Sequence, residues 1–81
     1  MSILKYIERL ILMDRLIKRK ATGNPNEFAQ KLRIRKSVLM DELKELKMLG
    51  ARIKYSRANN TYFYLEEFNL VIGKINDSKK S

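Results

Sequence analysis

The 81-residue sequence contains no cysteine and no histidine. Without cysteine there is no disulfide framework, no thiolate nucleophile and no cysteine metal site. Without histidine the chain lacks the commonest metal ligand and the commonest general acid–base. The three glycines, Gly23, Gly50 and Gly73, stand far apart, so no glycine-rich phosphate-binding loop is present. We therefore expect a protein that is not an enzyme and that uses no cofactor or metal ion.

Long apolar runs are also missing. Charged residues interrupt the N-terminal region at Lys5, Glu8, Arg9, Asp14 and Arg15, unlike the apolar core of a signal peptide. No window approaches the roughly 20 apolar residues of a membrane-spanning helix. The sequence thus predicts a cytoplasmic protein with no membrane association.

Acidic residues are few. The chain has 18 Lys and Arg against 9 Asp and Glu, which gives a formal net charge of +9. On a chain of this size, that charge predicts attraction to a polyanion, with nucleic acid before an anionic membrane surface. The alternative is a basic surface that serves solubility alone. At 44% hydrophobic and 33% charged residues, the composition is typical of a globular protein. We expect one domain over residues 1–73 and a basic, flexible tail over residues 74–81.

The first predicted helix begins at a cap on Ser2 and runs to about Lys20. Its apolar stripe is broad for so small a domain. All of that stripe can serve the core of one molecule. Alternatively, Tyr6, Leu12 or Met13 contributes to a homodimer seam, which would make the first helix a dimer interface.

Two further helices follow. The second spans Pro25 to about Leu32, with Asn24 as its cap and Glu27 placed to complete a capping box. The third is predicted over Lys36–Leu49, before Gly50. Its apolar face consists of Leu39, Leu43 and Leu46.

A β-hairpin is predicted after the third helix. Polar and apolar residues alternate over Arg52–Ser56, and Thr61–Leu65 is β-branched and aromatic. Asn59-Asn60 between them is a turn pair, because asparagine tolerates positive φ. The apolar run Phe68–Ile72 is either a further strand or a segment that packs on the domain.

The sequence resembles a winged helix-turn-helix domain from Ile3 to Tyr64. Glu27–Ile34 (EFAQKLRI) is similar to the first helix and turn of that motif, with a small residue at Ala29. Ser37–Ala51 is similar to the recognition helix of small bacterial regulators, such as the N-terminal DNA-binding domains of DeoR-like repressors and biotin repressors. Tyr55–Tyr64 corresponds to the wing. The implied fold class is mainly α with a small β-hairpin: three helices plus a wing.

The resemblance implies a sequence-specific DNA-binding protein and transcriptional regulator. In that family the third helix enters the major groove of double-stranded DNA, and the wing touches the flanking backbone. The implied groove-facing residues are Arg35, Lys36, Ser37, Met40, Asp41 and Lys44. The implied wing contacts are Arg52, Lys54, Arg57 and Asn60.

Two positions depart from the family pattern. Arg33 occupies the turn position where glycine is common. Asp41 occupies a mid-helix position where such regulators often place a base-reading residue. A carboxylate at Asp41 would repel phosphates unless it accepts from a cytosine amino group or pairs with Lys44 or a neighbouring arginine.

A second function remains open on the same fold. Winged helices also serve as protein–protein interaction modules in larger complexes. Met40 and Met48, expected to be exposed near the outer side of the third helix, are more typical of a partner contact or a core edge than of base reading. Glu42 and Glu45 are expected to add negative charge along its flanks. Structured RNA is a third candidate ligand for the basic surface.

Overall fold

The computed structural model describes residues 3–70, in which three helices precede an antiparallel two-stranded hairpin. The elements are α1 (Ile3–Lys18), α2 (Pro25–Leu32), α3 (Lys36–Met48), β1 (Ile53–Ser56) and β2 (Thr61–Tyr64). This confirms the predicted fold class, mainly helical with a small hairpin in the winged helix-turn-helix order. The predicted ends of several elements shift by one or two residues.

The apolar run after the hairpin is described only in part. Residues 68–70 form no strand, and Phe68 and Leu70 are half-buried against the core. Tyr64 lies beside Phe68, with ring centroids 5.3 Å apart. The rest of that run and the tail predicted over residues 74–81 lie outside the described residues.

Local signals begin and end α2 as its sequence predicts. The Asn24 side chain accepts a hydrogen bond from the Glu27 backbone N–H, and the Glu27 carboxylate accepts one from the Asn24 N–H, both at 2.8 Å. The capping box is therefore confirmed. At the other end, Arg33 adopts a left-handed conformation, φ 59° and ψ 44°. Glycine favours that conformation, so the non-glycine residue at this turn carries some backbone strain.

The core lies where the three helices and the hairpin meet. Its fully buried large side chains include Met13 and Ile17 from α1, Phe28 from α2, and Leu39 and Leu46 from α3. Met13 is 0% exposed. The prediction that it contributes to a seam between copies is wrong, because its side chain fills the core.

A buried pair of threonines joins the hairpin to the segment before α2. The Thr22 hydroxyl accepts a hydrogen bond from the Tyr62 backbone N–H at 2.8 Å. The Thr61 hydroxyl accepts one from the Thr22 N–H at 3.2 Å, and the two hydroxyls lie 3.1 Å apart. Residues 21–23 thus run beside β2 and hold it through side chains.

Candidate nucleic-acid interface

The third helix presents one face to the core and the opposite face to solvent. Leu39, Leu43 and Leu46 are buried, as predicted. On the opposite side, Ser37, Asp41, Lys44 and Met48 follow one another at spacings of four, three and four, which aligns them along the helix. All four are exposed.

Ser37, Asp41 and Lys44 are the predicted groove-facing residues that lie along this solvent side. Arg35 is the N-cap residue of α3, and its side chain makes no capping hydrogen bond. Arg35 and Lys36 are exposed at the beginning of the helix. Met40 differs because it is half-buried and packs against the core. We call the exposed set Arg35, Lys36, Ser37, Asp41 and Lys44 the outer face of α3.

Two of the three acidic side chains of α3 are directed toward α1. Glu42 is only 4% exposed and accepts two hydrogen bonds from the Arg9 guanidinium, at 2.7 Å from Nε and 2.6 Å from Nη2. Glu45 accepts a hydrogen bond from the Tyr6 hydroxyl. The expectation that both carboxylates add negative charge along the flanks of α3 is therefore wrong for Glu42, which is buried and paired with Arg9. Glu45 remains exposed, and the neutral Tyr6 hydroxyl does not cancel its charge.

The contacts between α3 and α1 also raise the pKa values of two α1 side chains. The hydrogen bond to Glu45, with burial as a smaller cause, raises the pKa of Tyr6 to about 12. The hydrogen bonds to Glu42 raise the pKa of Arg9. The Arg9–Glu42 contact is therefore a charged pair that fixes α3 against α1.

Asp41 is the exception among the acidic residues of α3. It is exposed and forms no ion pair with any residue in the range 3–70. Within that range Asp41 pairs with neither Lys44 nor a neighbouring arginine. Asp41 is therefore a single acceptor among the cations of the outer face.

The residues predicted to contact DNA from the wing lie at different positions along the hairpin. Lys54 lies in the middle of β1 opposite Phe63 of β2, and Arg57 is exposed in the turn. Arg52 lies at the base of the hairpin, where its Nη1 is 3.9 Å from Glu66. Lys54 and Arg57 are thus the wing cations that form no ion pair in the described part of the chain.

Asn60 has both ends of its side-chain amide engaged. Its oxygen accepts from the Tyr55 hydroxyl at 2.8 Å, and its nitrogen donates to Glu27 at 3.1 Å. These bonds tie the hairpin tip to the beginning of α2. The structure thus gives Asn60 a role in holding the wing, beside the predicted contact with DNA.

The tyrosines of the hairpin pack on the domain. The ring centroids of Tyr55 and Tyr62 are 5.0 Å apart, and those of Phe28 and Tyr62 are 5.6 Å apart. The Tyr64 hydroxyl donates to Asp14 at 2.7 Å. Burial, followed by this hydrogen bond, raises the pKa of Tyr64. These rings position the wing.

Internal contacts use most carboxylates and leave most cations available. The carboxylates that form ion pairs or hydrogen bonds within residues 3–70 are Asp14, Glu27, Glu42, Glu45 and Glu66. The cations with no ion pair or side-chain hydrogen bond there are Arg15, Arg19, Lys20, Arg33, Arg35, Lys36, Lys44, Lys47, Lys54 and Arg57. The fold itself therefore does not neutralise the positive charge predicted to attract a polyanion.

The positioning residues Arg9, Tyr6 and Thr22 were not among the predicted site residues. Arg9 and Glu42 are 33 positions apart, and neither belongs to a motif that indicates the other. The complementary signs of two residues on neighbouring helices were the only signal available.

The described part of the chain also lacks the features of a metal site and of a membrane-spanning helix. Residues 3–70 contain no cluster of three or more acidic, histidine or cysteine side chains that could hold a metal ion. No helix among these residues has the length and apolar character needed to cross a membrane. Comparisons of the chain with protein-family models, with curated proteins and with solved structures found no match.

Proposed function

We propose that this protein binds double-stranded DNA in a sequence-specific manner and acts as a transcriptional regulator. The observation that carries the proposal is the way α1 binds the acids of α3. Because Arg9 and Tyr6 hold Glu42 and Glu45, Asp41 is the acidic side chain of α3 that remains on its outer face. The other residues of the outer face are basic or neutral, as a DNA-reading helix requires, while Glu45 is exposed on the flank that contacts α1.

The residues of the outer face can supply both the phosphate contacts that position a protein on DNA and the base contacts that read its sequence. Arg35 and Lys36 stand at the beginning of α3, where the helix dipole also favours a phosphate. Ser37, Asp41 and Lys44 lie farther along the same exposed side. Asp41 can accept a hydrogen bond from the amino group of cytosine, while Lys44 can donate to guanine or to a phosphate.

The wing supplies a second, sequence-independent contact. Lys54 and Arg57 are exposed and carry no internal ion pair within residues 3–70. Arg52 pairs with Glu66 at 3.9 Å, with both side chains mostly exposed. Such a pair is worth little in water, so Arg52 can exchange Glu66 for a phosphate.

A binding titration tests the proposal. Fluorescence anisotropy of a labelled random-sequence duplex measures general affinity, and selection from a pool of random duplexes measures sequence preference. We expect salt-dependent binding and enrichment of a defined site. Absence of duplex binding at low salt would contradict the proposal. Preferential competition by structured RNA would assign the surface to RNA.

A specific observation favours a protein-interaction module as the second candidate. Met48 is 85% exposed and Leu49 is 55% exposed at the end of α3. With Tyr6 they line a shallow, mostly apolar depression. Exposed methionine on such a surface is typical of protein contacts.

The two candidates predict different effects of one substitution. If a protein partner occupies the depression, Met48→Ser abolishes its recovery in a nuclease-treated pull-down and leaves duplex binding unchanged. Lys44→Ala, four residues earlier on the same helix, serves as the matched change that affects duplex binding. A partner recovered equally well with Met48→Ser would exclude this surface.

A further inference from the structure

The outward side of α1 carries opposite charges two helical turns apart. Glu8 and Arg15 are seven residues apart, about 10.5 Å along the helix axis, and point in nearly the same direction. Both are exposed, and neither forms an ion pair or side-chain hydrogen bond within residues 3–70.

Apolar side chains lie between these two charges. Ile11 is 40% exposed and Leu12 is 37% exposed, one on each flank of the line from Glu8 to Arg15. We call these four residues the α1 patch. It has an acidic end, an apolar centre and a basic end.

We propose that the α1 patch binds the same patch of a second copy in an antiparallel arrangement. A two-fold axis between Ile11 and Leu12 places Glu8 of each copy opposite Arg15 of the other. The apolar centres then pack on each other across the axis. Each dimer therefore contains two equivalent ion pairs and one shared apolar centre.

The order of charges selects this arrangement over a parallel one. In parallel, in-register pairing, Glu8 would face Glu8 and Arg15 would face Arg15, which is unfavourable. A uniformly acidic or basic partner would also meet one charge of its own sign. The patch is complementary to itself in the antiparallel direction.

The antiparallel arrangement also uses exposed residues beyond the patch. It brings Leu4, which is 60% exposed, near the aliphatic part of Arg19 of the second copy. This seam differs from the predicted one, because Met13 is buried and Tyr6 is bound to Glu45. Leu12 is the residue that both versions share.

The dimer does not depend on the proposed DNA binding. If DNA binding is also correct, a two-fold dimer presents two α3 helices and is suited to a palindromic site. A monomer that binds DNA, or a dimer that does not, would separate the two proposals.

Analytical ultracentrifugation of the full chain tests the dimer. At about 0.15 M salt the Debye length is about 8 Å, so the repulsion between two positively charged chains is largely screened. We expect the mass to rise from 9.6 kDa toward twice that value with increasing protein concentration. Glu8→Arg and Arg15→Glu should each weaken the dimer at least about tenfold, since each places like charges together. The combined variant should restore dimerisation, because it exchanges the two signs.

Glu67→Arg is the matched control for Glu8→Arg, because Glu67 is also exposed and forms no ion pair in the described chain. Circular dichroism establishes that each variant is folded. A wild-type chain that stays monomeric up to about 1 mM would overturn the proposal, since even weak specific interfaces associate at that concentration. So would a single variant that dimerises normally, a combined variant no better than the single ones, or equal weakening by Glu67→Arg.

Discussion

The guanidinium of Arg9 in α1 donates two hydrogen bonds, of 2.7 and 2.6 Å, to the carboxylate of Glu42 in α3. The side chains are only 13% and 5% exposed. Because Glu42 points inward, Lys44, two positions later, is on the outer side of α3. The pair therefore links the packing of the helices to the charge of the surface that we propose reads DNA.

Breaking this pair should be costly. Glu42→Ala leaves the Arg9 guanidinium without its partner in a largely buried position, and we expect the free energy of unfolding to fall by about 3–5 kcal/mol. Urea denaturation measures the change. Glu66→Ala removes the carboxylate of an exposed pair and should cost at most about 1 kcal/mol.

Replacing both residues of the pair with apolar ones tests whether the loss comes from the unpaired charge. Arg9→Met with Glu42→Leu removes both charges, so it should be clearly more stable than Glu42→Ala alone. If Glu42→Ala unfolds at the same urea concentration as Glu66→Ala, the proposed role of the pair in holding α3 is incorrect.

The Tyr6–Glu45 contact predicts a loss of stability in alkali. The folded-state pKa of Tyr6 is raised from 10.0 to about 12, so the folded chain holds its proton more tightly than the unfolded chain. The stabilisation is fully present below about pH 10 and is lost as the pH rises toward about 12. The raised pKa values of Tyr62 and Tyr64 act in the same direction.

Urea midpoints measured from about pH 9 to about pH 11.5 should therefore decrease. Tyr6→Phe should show a smaller decrease, because phenylalanine has no proton to lose. Identical pH profiles for the wild type and Tyr6→Phe would show that this hydrogen bond does not contribute.

The buried hydroxyl of Thr22 should be necessary for holding β2. Thr22→Val keeps the shape but leaves the Tyr62 N–H without its acceptor, and we expect a loss of about 1–3 kcal/mol. Faster hydrogen exchange at the Tyr62 amide identifies the cause. Ser56→Ala, which removes an exposed hydrogen bond to the Asn59 N–H, is the control and should change little.

The left-handed turn residue Arg33 predicts a stabilising substitution. Arg33→Gly should raise the free energy of unfolding by about 0.5–1 kcal/mol, because relief of the left-handed strain exceeds the added freedom of the unfolded chain. Arg33→Ala keeps the strain and should give no gain, as thermal denaturation would show. A gain with alanine equal to that with glycine would mean that the side chain, not the backbone conformation, is unfavourable.

Local signals in the sequence predicted much of the fold. Asn24 and Glu27 form the capping box that begins α2, and Asn60 takes the positive φ of 53° that its turn position predicted. The leucines of α3 face the core at the spacing that predicted the helix. These features depend on residues within a few positions of each other, so one sequence suffices to find them.

Features that join distant parts of the chain were not predictable in this way. Arg9 and Glu42 meet only after α1 and α3 pack, and Thr22 meets Thr61 only after the hairpin folds. The burial of Met13 was missed for a related reason: α1 has more apolar residues than one face can bury. Periodicity alone does not decide which of them enters the core.

The salt dependence of duplex binding by the wild type, Lys44→Ala and Lys18→Ala tests the central claim most directly. Lys18 is also an exposed lysine, but it lies on α1 and pairs with Asp14. We expect Lys44→Ala to bind more weakly and to reduce the slope of log affinity against log salt by about 0.9, the effect of one lost phosphate contact. Lys18→Ala should retain the wild-type slope. Equal slopes for all three proteins would contradict the assignment of the outer face of α3 as the DNA-binding surface.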